Sequence, residues 1–313
     1  MTANPIAGPE PADPVAGIDV TRATQWLVEH VAGTTAPFRF DVIAGGHSNL
    51  TYRVTDASGR ALVLRRPPLG HVLASAHDMA REHRIISSLR ETPVPVPAAL
   101  GYCPDDDVIG APFYVMDFVD GHVVRDVAIA EAVLSTDARA TASRSMADTL
   151  AALHAVDIDA VGLTDLARHE GYIARQLKRW HGQWEQQRTR DLPLVDEVHA
   201  ALTERIPQQG PAAIVHGDYR LDNAIVSSAG DVVAVLDWEI CTLGDPMADV
   251  GLLHVYWTGP ADEASAWGGR STTAPGFWDR QQVVDRYAEV SGRDLAELPF
   301  YVAFGYWKLA CIL

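Results

Sequence analysis

The sequence predicts an α+β protein of two lobes, and three observations predict it. Short strand-like segments separated by turn residues crowd the first third of the chain. Helical periodicity takes over afterwards, and 313 residues are enough for two apolar cores. Residues 1–17 read as a flexible tail, 18–120 as an N-lobe of antiparallel sheet plus helix, and 121–313 as a mainly helical C-lobe, with the boundary near Asp120-Gly121.

The tail is rich in Pro, Ala and Gly and has neither the basic start nor the apolar centre of a secretory signal. A first helix is expected from Asp19, whose carboxylate can cap it, to His30. Val20, Ala23, Leu27 and Val31 recur there at helical spacing, and Gly33 stops it. Strands are expected at 38–42, 50–54 and 61–65, divided by Gly45-Gly46 and Ser58-Gly59 and closed by Pro67-Pro68. A helix at 75–89, a proline-rich connector at 92–97 and a further strand at 113–119 complete the N-lobe. Helical patterns then occupy 138–155, 171–188, 193–205, 245–257 and 277–290, interrupted by a β-hairpin at 224–236. Asp245-Pro246 supplies an N-cap followed by proline at the first helical position. Residues 300–313 are strongly apolar and end without a cap, so the chain is expected to lack a natural C-terminal helix.

Composition excludes several classes of partner. With 25 basic and 41 acidic residues the chain carries −16, a surface that repels nucleic acid and anionic membranes. No apolar run approaches the ~20 residues of a membrane span. Cys103, Cys241 and Cys311 are odd in number and far apart, which argues against a disulfide framework or zinc site and for a reducing, cytoplasmic setting.

The chemistry concentrates in the C-lobe. The apolar stretch 212–215 leads into His216-Gly217-Asp218-Tyr219-Arg220-Leu221-Asp222-Asn223, and two strands joined by 227–231 follow. With Gly230 at the centre of the hairpin, Asn223 and Asp237 are equidistant from it and meet at its open end. Asp218 lies on the loop just before. Two carboxylates and an amide make an oxygen-rich site suited to Mg²⁺. In phosphoryl transfer such an ion bridges the phosphates while a separate carboxylate takes the attacking hydroxyl's proton. Asp218 suits the second task, and Asn223 and Asp237 suit the first. A metal-dependent hydrolase using the same carboxylates would ordinarily bring a His-rich ligand set, which is not seen. His216 reads as a residue that holds the loop, and His154 as a packing or capping residue. Tyr172, Trp180 and Trp184 share a helical face that either lines an acceptor pocket or faces the core.

H-G-D-Y-x-x-x-N with a following L-D-W resembles the aminoglycoside phosphotransferase and choline kinase superfamily, which shares the protein-kinase fold. Within it, Leu64-Arg65-Arg66-Pro67-Pro68 and Gly244-Asp245-Pro246-Met247-Ala248-Asp249 most resemble the kinase-like domain related to that of acyl-CoA dehydrogenase family members 10 and 11. The resemblance covers residues 38–313. It implies a two-lobed kinase-like fold, ATP and Mg²⁺ as cofactors, and a small molecule whose hydroxyl accepts the phosphoryl group. Asp218 would be the catalytic base, and Asn223 and Asp237 the metal ligands. A pseudokinase, binding nucleotide or ligand without turnover, is the alternative. The resemblance does not specify the acceptor.

On the nucleotide side, Gly46, Ser48 and Asn49 lie in a small-residue turn whose backbone N–H groups suit phosphate oxygens. Arg65 matches the lysine of the kinase third strand, although the choice between Arg65 and Arg66 stays open. Met79, Glu82, Ile86 and Leu89 share one helical face, and a carboxylate inside that apolar stripe either finds a cationic partner or reaches solvent at the stripe's edge. The resemblance supplies the partner, the family's ion pair between third strand and helix. It also sets adenine against the backbone of Asp117 and Val119. For Asp249 it implies contact with the catalytic-loop backbone, while a first-turn Asp complementing the helix dipole is the plain alternative.

Overall fold

In the computed structural model, which describes residues 15–43, 49–70, 78–260, 262 and 270–313, the chain divides into two units. One comprises Met1–His83 with Ala99–Phe118, the other Arg84–Ala98 with Val119–Leu313. The expected junction at 120–121 compares with a division between Phe118 and Val119. The second half of the helix after the third strand, together with the proline connector, groups with the helical unit.

The first unit is built on a five-stranded antiparallel sheet. Helix α1 (Val20–His30) begins where Asp19 accepts the Arg22 amide at 3.0 Å, and it buries Ala23, Trp26 and Leu27. The strands are β1 (Arg39–Val42), β2 (Leu50–Thr55), β3 (Ala61–Arg66), β4 (Ala99–Cys103) and β5 (Phe113–Asp117), in the order β1-β2-β3-β5-β4. Strand alternation sorts the side chains. Tyr52, Val54, Leu62, Leu64, Phe113 and Val115 join Trp26 and Leu27 in one core. On β3 and β5, Arg65 is paired with Tyr114, side by side on the other face. The expected strand at 113–119 ends at Asp117. β4 gave no alternating signal, because four of its five residues are only half-buried. Helix α2 is Met79–Leu89, and residues 75–77 of the expected helix lie outside the described residues. Asp78 accepts the Arg81 amide at 2.9 Å, which fixes that start. A short helix, α3 (Asp106–Ile109), connects β4 to β5.

The second unit is mainly helical. It contains α4 (Val127–Val133), α5 (Thr136–His154), α6 (Tyr172–Gln187) and α7 (Pro193–Glu204). Four short strands follow: β6 (Ala213–Val215), β7 (Ala224–Val226), β8 (Val232–Val235) and β9 (Thr242–Gly244). The rest comprises α8 (Met247–Tyr256), α9 (Arg280–Ser291) and α10 (Leu298–Ile312). β6 pairs with β9, and β7 with β8, both antiparallel. Asp245 accepts the Met247 amide at 3.0 Å and so opens α8. Tyr172, Trp180 and Trp184 of α6 are buried, so that stripe faces the core rather than a pocket. The apolar end of the chain is itself a helix, α10. It lies so close to α8 that a Cβ on Gly251 would come within 2.5 Å of the Tyr301 carbonyl. Among the described residues no helix is long and apolar enough to cross a membrane.

The hairpin register corrects the expectation. Ala224 faces Val235 and Val226 faces Val232, with an irregularity at 225–226, and the Leu236 amide donates to the Asn223 carbonyl at 2.8 Å. Asn223 is therefore opposite Leu236 and not Asp237. The turn is closed between Ser227 and Asp231, whose backbones bond at 2.8 Å, so Gly230 stands beside the apex rather than at it. Asp237 lies one residue beyond the pair.

Candidate active site

The apolar strand β6 delivers the chain into a loop whose every turn is tied down. Gly217 takes φ +85°, a conformation glycine adopts without Cβ strain. Asp249, on the first turn of α8, accepts the His216 amide at 2.7 Å and the Gly217 amide at 2.8 Å. Burial opposes its charge, but bonds from His154 and the loop amides hold the carboxyl below its usual range. His154 is itself fully buried, bonded to Asp249 at 3.3 Å and to the Tyr287 hydroxyl at 2.8 Å, and burial pushes its imidazole below the ordinary value. The loop contact foreseen for Asp249 by resemblance is the one observed.

His216 bridges loop and hairpin. Its Nδ1 accepts the Asp218 amide at 3.3 Å and its Nε2 donates to the Leu236 carbonyl at 2.9 Å, an arrangement that puts the ring hydrogen on Nε2. With both nitrogens engaged, His216 is structural. From α10, Lys308 reaches the same loop. Its Nζ donates to the Gly217 carbonyl at 2.8 Å and lies 5.2 Å from the centre of the Trp180 ring. Burial depresses its ammonium, with Asp218 and Asp249 acting the other way.

Both oxygens of Asp218 are engaged. Asn223 Nδ2 donates to Oδ2 at 2.8 Å and to the Asp218 carbonyl at 2.9 Å, while the Tyr256 hydroxyl donates to Oδ1 at 2.6 Å. Arg220 sits beside them, 2.8 Å from Asp222 and 3.7 Å from Asp218. Burial lowers the Arg220 pKa, but Asp218, Asp222 and Asp237, together with Tyr256, outweigh it and raise the net value. Asp237 thus acts on the same guanidinium as Asp218. It is the one non-glycine residue with positive φ among the described residues, at +63°. Asp tolerates that region better than most, yet the conformation costs about 1 kcal/mol and collects at functional positions.

Asn223 spends its N–H groups on Asp218, which leaves its Oδ1 as the acceptor of that amide. The donors at hand are hard oxygens from Asn223 and Asp237. Among the described residues no three His, Cys, Asp or Glu side chains make a metal cage. Mg²⁺ is an ion that takes one or two carboxylates and completes its shell from phosphate and water, so this donor set fits it.

In the first unit, Glu82 is 1% exposed and satisfied from three sides. Arg65 Nε lies 2.9 Å from Oε2, the Tyr114 hydroxyl donates to Oε2 at 3.0 Å, and Asn49 Nδ2 donates to Oε1 at 3.1 Å. Of the two arginines, Arg65 is the one that pairs with Glu82. Arg66 is buried and donates to the carbonyls of Pro67 and Ile109 at 3.0 Å each and to that of Gly17. Asn49 turns its side chain to Glu82. Gly46 and Ser48 lie outside the described residues. Asp117 pairs with Arg60 at 2.9 Å, and Val119 is half-buried at the start of the second unit's longer segment. Sequence reasoning missed Arg220, Tyr256 and Lys308. Lys308 left a signal, as the one charge in an otherwise apolar C-terminal helix.

Comparison with known proteins bears on the chain as a whole. The model of a family described as "Phosphotransferase enzyme family" matches residues 39–287. Acyl-CoA dehydrogenase family member 10 of Mus musculus is 34% identical over 92% of the chain, and family member 11 of Gallus gallus 33% over 86%. The chain spans only 27% and 35% of the length of those two relatives. A crystal structure from Ralstonia eutropha JMP134, provisionally named an aminoglycoside phosphotransferase, superposes with a TM-score of 0.79 at 33% identity, covering 94% of this chain and 87% of that one.

Proposed function

The chain belongs to the phosphotransferase enzyme family, and on that premise we propose that it is an ATP- and Mg²⁺-dependent kinase that phosphorylates a hydroxyl of a small molecule. The observation that carries the reading is the bond between Asn223 and Asp218. It orients the carboxylate as a base and turns the remaining amide oxygen of Asn223 toward the metal role. Asn223 and Asp237 would hold Mg²⁺, which neutralises charge on the phosphates when bound. Arg65, aimed by Glu82, would pair with the α- and β-phosphates. Its planar fork gives a geometry different from that of lysine. Asp117 and Val119 would offer backbone groups to the base, and the backbone N–H groups of Gly46, Ser48 and Asn49 would serve the phosphate oxygens. As the acceptor oxygen bonds to the γ-phosphorus, the bond to the bridging oxygen breaks. ADP leaves, and the acceptor's proton passes to Asp218. Three buried, widely spaced cysteines support a cytoplasmic setting.

Incubation with Mg²⁺-ATP and a panel of hydroxylated metabolites and aminoglycosides is expected to give a phosphorylated product. Asp218→Ala should lower kcat by about 10²–10⁴-fold, the contribution of a positioned base. Arginine in place of lysine favours a second reading, a nucleotide-binding protein without turnover. Saturable ATP binding with no product from any acceptor would establish that reading instead.

A further inference from the structure

Tyr256 closes α8 two helical turns after Asp249, so one helix sends both side chains to the same loop. A carboxylate turns about a broad two-fold torsion, and a single donor leaves its plane undetermined. Here Asn223 holds Oδ2 at 2.8 Å and Tyr256 holds Oδ1 at 2.6 Å. The phenol is itself fixed from behind. The Arg220 guanidinium lies 5.2 Å from the ring centre and is anchored on Asp222 at 2.8 Å. Burial and the Asp218 charge push the phenol far up, so its hydroxyl stays protonated and remains a donor.

We propose, resting on the phosphotransferase reading, that Tyr256 is a positioning residue. It locks the plane of the Asp218 carboxylate and leaves the second lone pair of Oδ1 for the acceptor hydroxyl. The lock gains orientation, since a misaligned base transfers no proton.

Tyr256→Phe keeps the ring over Arg220 and removes only the donor. The expected result is a kcat lowered about tenfold or more, with KM for ATP within about twofold of wild type, because the missing interaction serves the transition state and not nucleotide binding. Unchanged kcat overturns the proposal. So does a raised kcat, which would mean that the phenol competes with the acceptor. A second measurement needs no turnover. With ¹³Cζ-labelled tyrosine, the resonance that disappears in Tyr256→Phe should shift in Asp218→Asn, and an unmoved resonance also overturns the proposal. If that resonance moves while wild type phosphorylates nothing, the phosphotransferase reading falls, and the catalytic role of Tyr256 with it, leaving only the contact.

Discussion

At the scale of single residues, two buried charges show how far a lone ionisable side chain can be read. Glu82 stands among Met79, Ile86 and Leu89 on one helical face, and the cost of an unpaired carboxylate there demands a cation. Arg65 meets that demand. Lys308 is the mirror case, an ammonium in an apolar helix, and the same logic would have sent it looking for an acceptor. What sequence could not supply is that the acceptor is the Gly217 carbonyl, 91 positions away. Glu82→Ala takes the carboxylate from an arginine only 13% exposed and should cost about 3 kcal/mol, the scale of a broken buried pair. Urea denaturation reads it, and Glu82→Gln, which keeps an acceptor, should lose less. Equal stability of both variants and wild type would contradict the pairing.

Elements fix these residues in place, and their errors are informative. The hairpin was legible from two apolar runs around a Ser/Gly turn, but its register missed by one residue. Glycine suggests an apex at Gly230, whereas the Ser227–Asp231 closure shifts the centre toward the N-terminus. Asp237 remains near Asn223 despite the slip, because its position just past the last pair depends on proximity and not on facing. β4 escaped notice because a half-exposed edge strand has no alternation to detect. The contact of α8 with α10 was equally hidden, since glycine inside a helical pattern reads only as a weak position. It gives a test. Gly251→Ala would put a methyl 2.5 Å from the Tyr301 backbone and should destabilise by about 1–3 kcal/mol, despite the better helix propensity of alanine. A thermal midpoint equal to or above that of wild type would contradict the packing.

Across the whole molecule, titration decides the pH range of stability. Burial is the leading cause that holds His83, His154, His199 and His254 below the usual imidazole range. Each folded-state pKa is therefore below its unfolded value, and the unfolded chain binds protons first as the medium acidifies. Their contribution is intact above the unfolded value of about 6.5 and erodes below it. Asp249, held low, adds its own loss only as pH falls below about 4, the unfolded carboxylate value. The urea midpoint should thus be lower at pH 5.5 than at pH 7.5. Acidification also relieves the −16 net charge, so the comparison belongs at about 0.15 M salt, which screens charges more than ~8 Å apart. A midpoint that rises toward pH 5.5 would contradict the assignment.

The sequence by itself determined the succession of a strand-rich first part and a helix-rich second, the His216 to Asn223 loop with its following Asp237, and the demand of Glu82 for a partner. These follow from periodicity, turn chemistry and the energetic intolerance of unpaired buried charge, all of which act over a few residues. Only the tertiary structure decided which arginine answers Glu82, that Asn223 faces Leu236, that His216 has both ring nitrogens occupied, and that Asp218 is gripped by Tyr256. Each of those is a hydrogen bond or an ion pair between groups far apart in the chain. Its partner is chosen by which atoms the packed backbone brings within about 3 Å, and no local pattern encodes that distance.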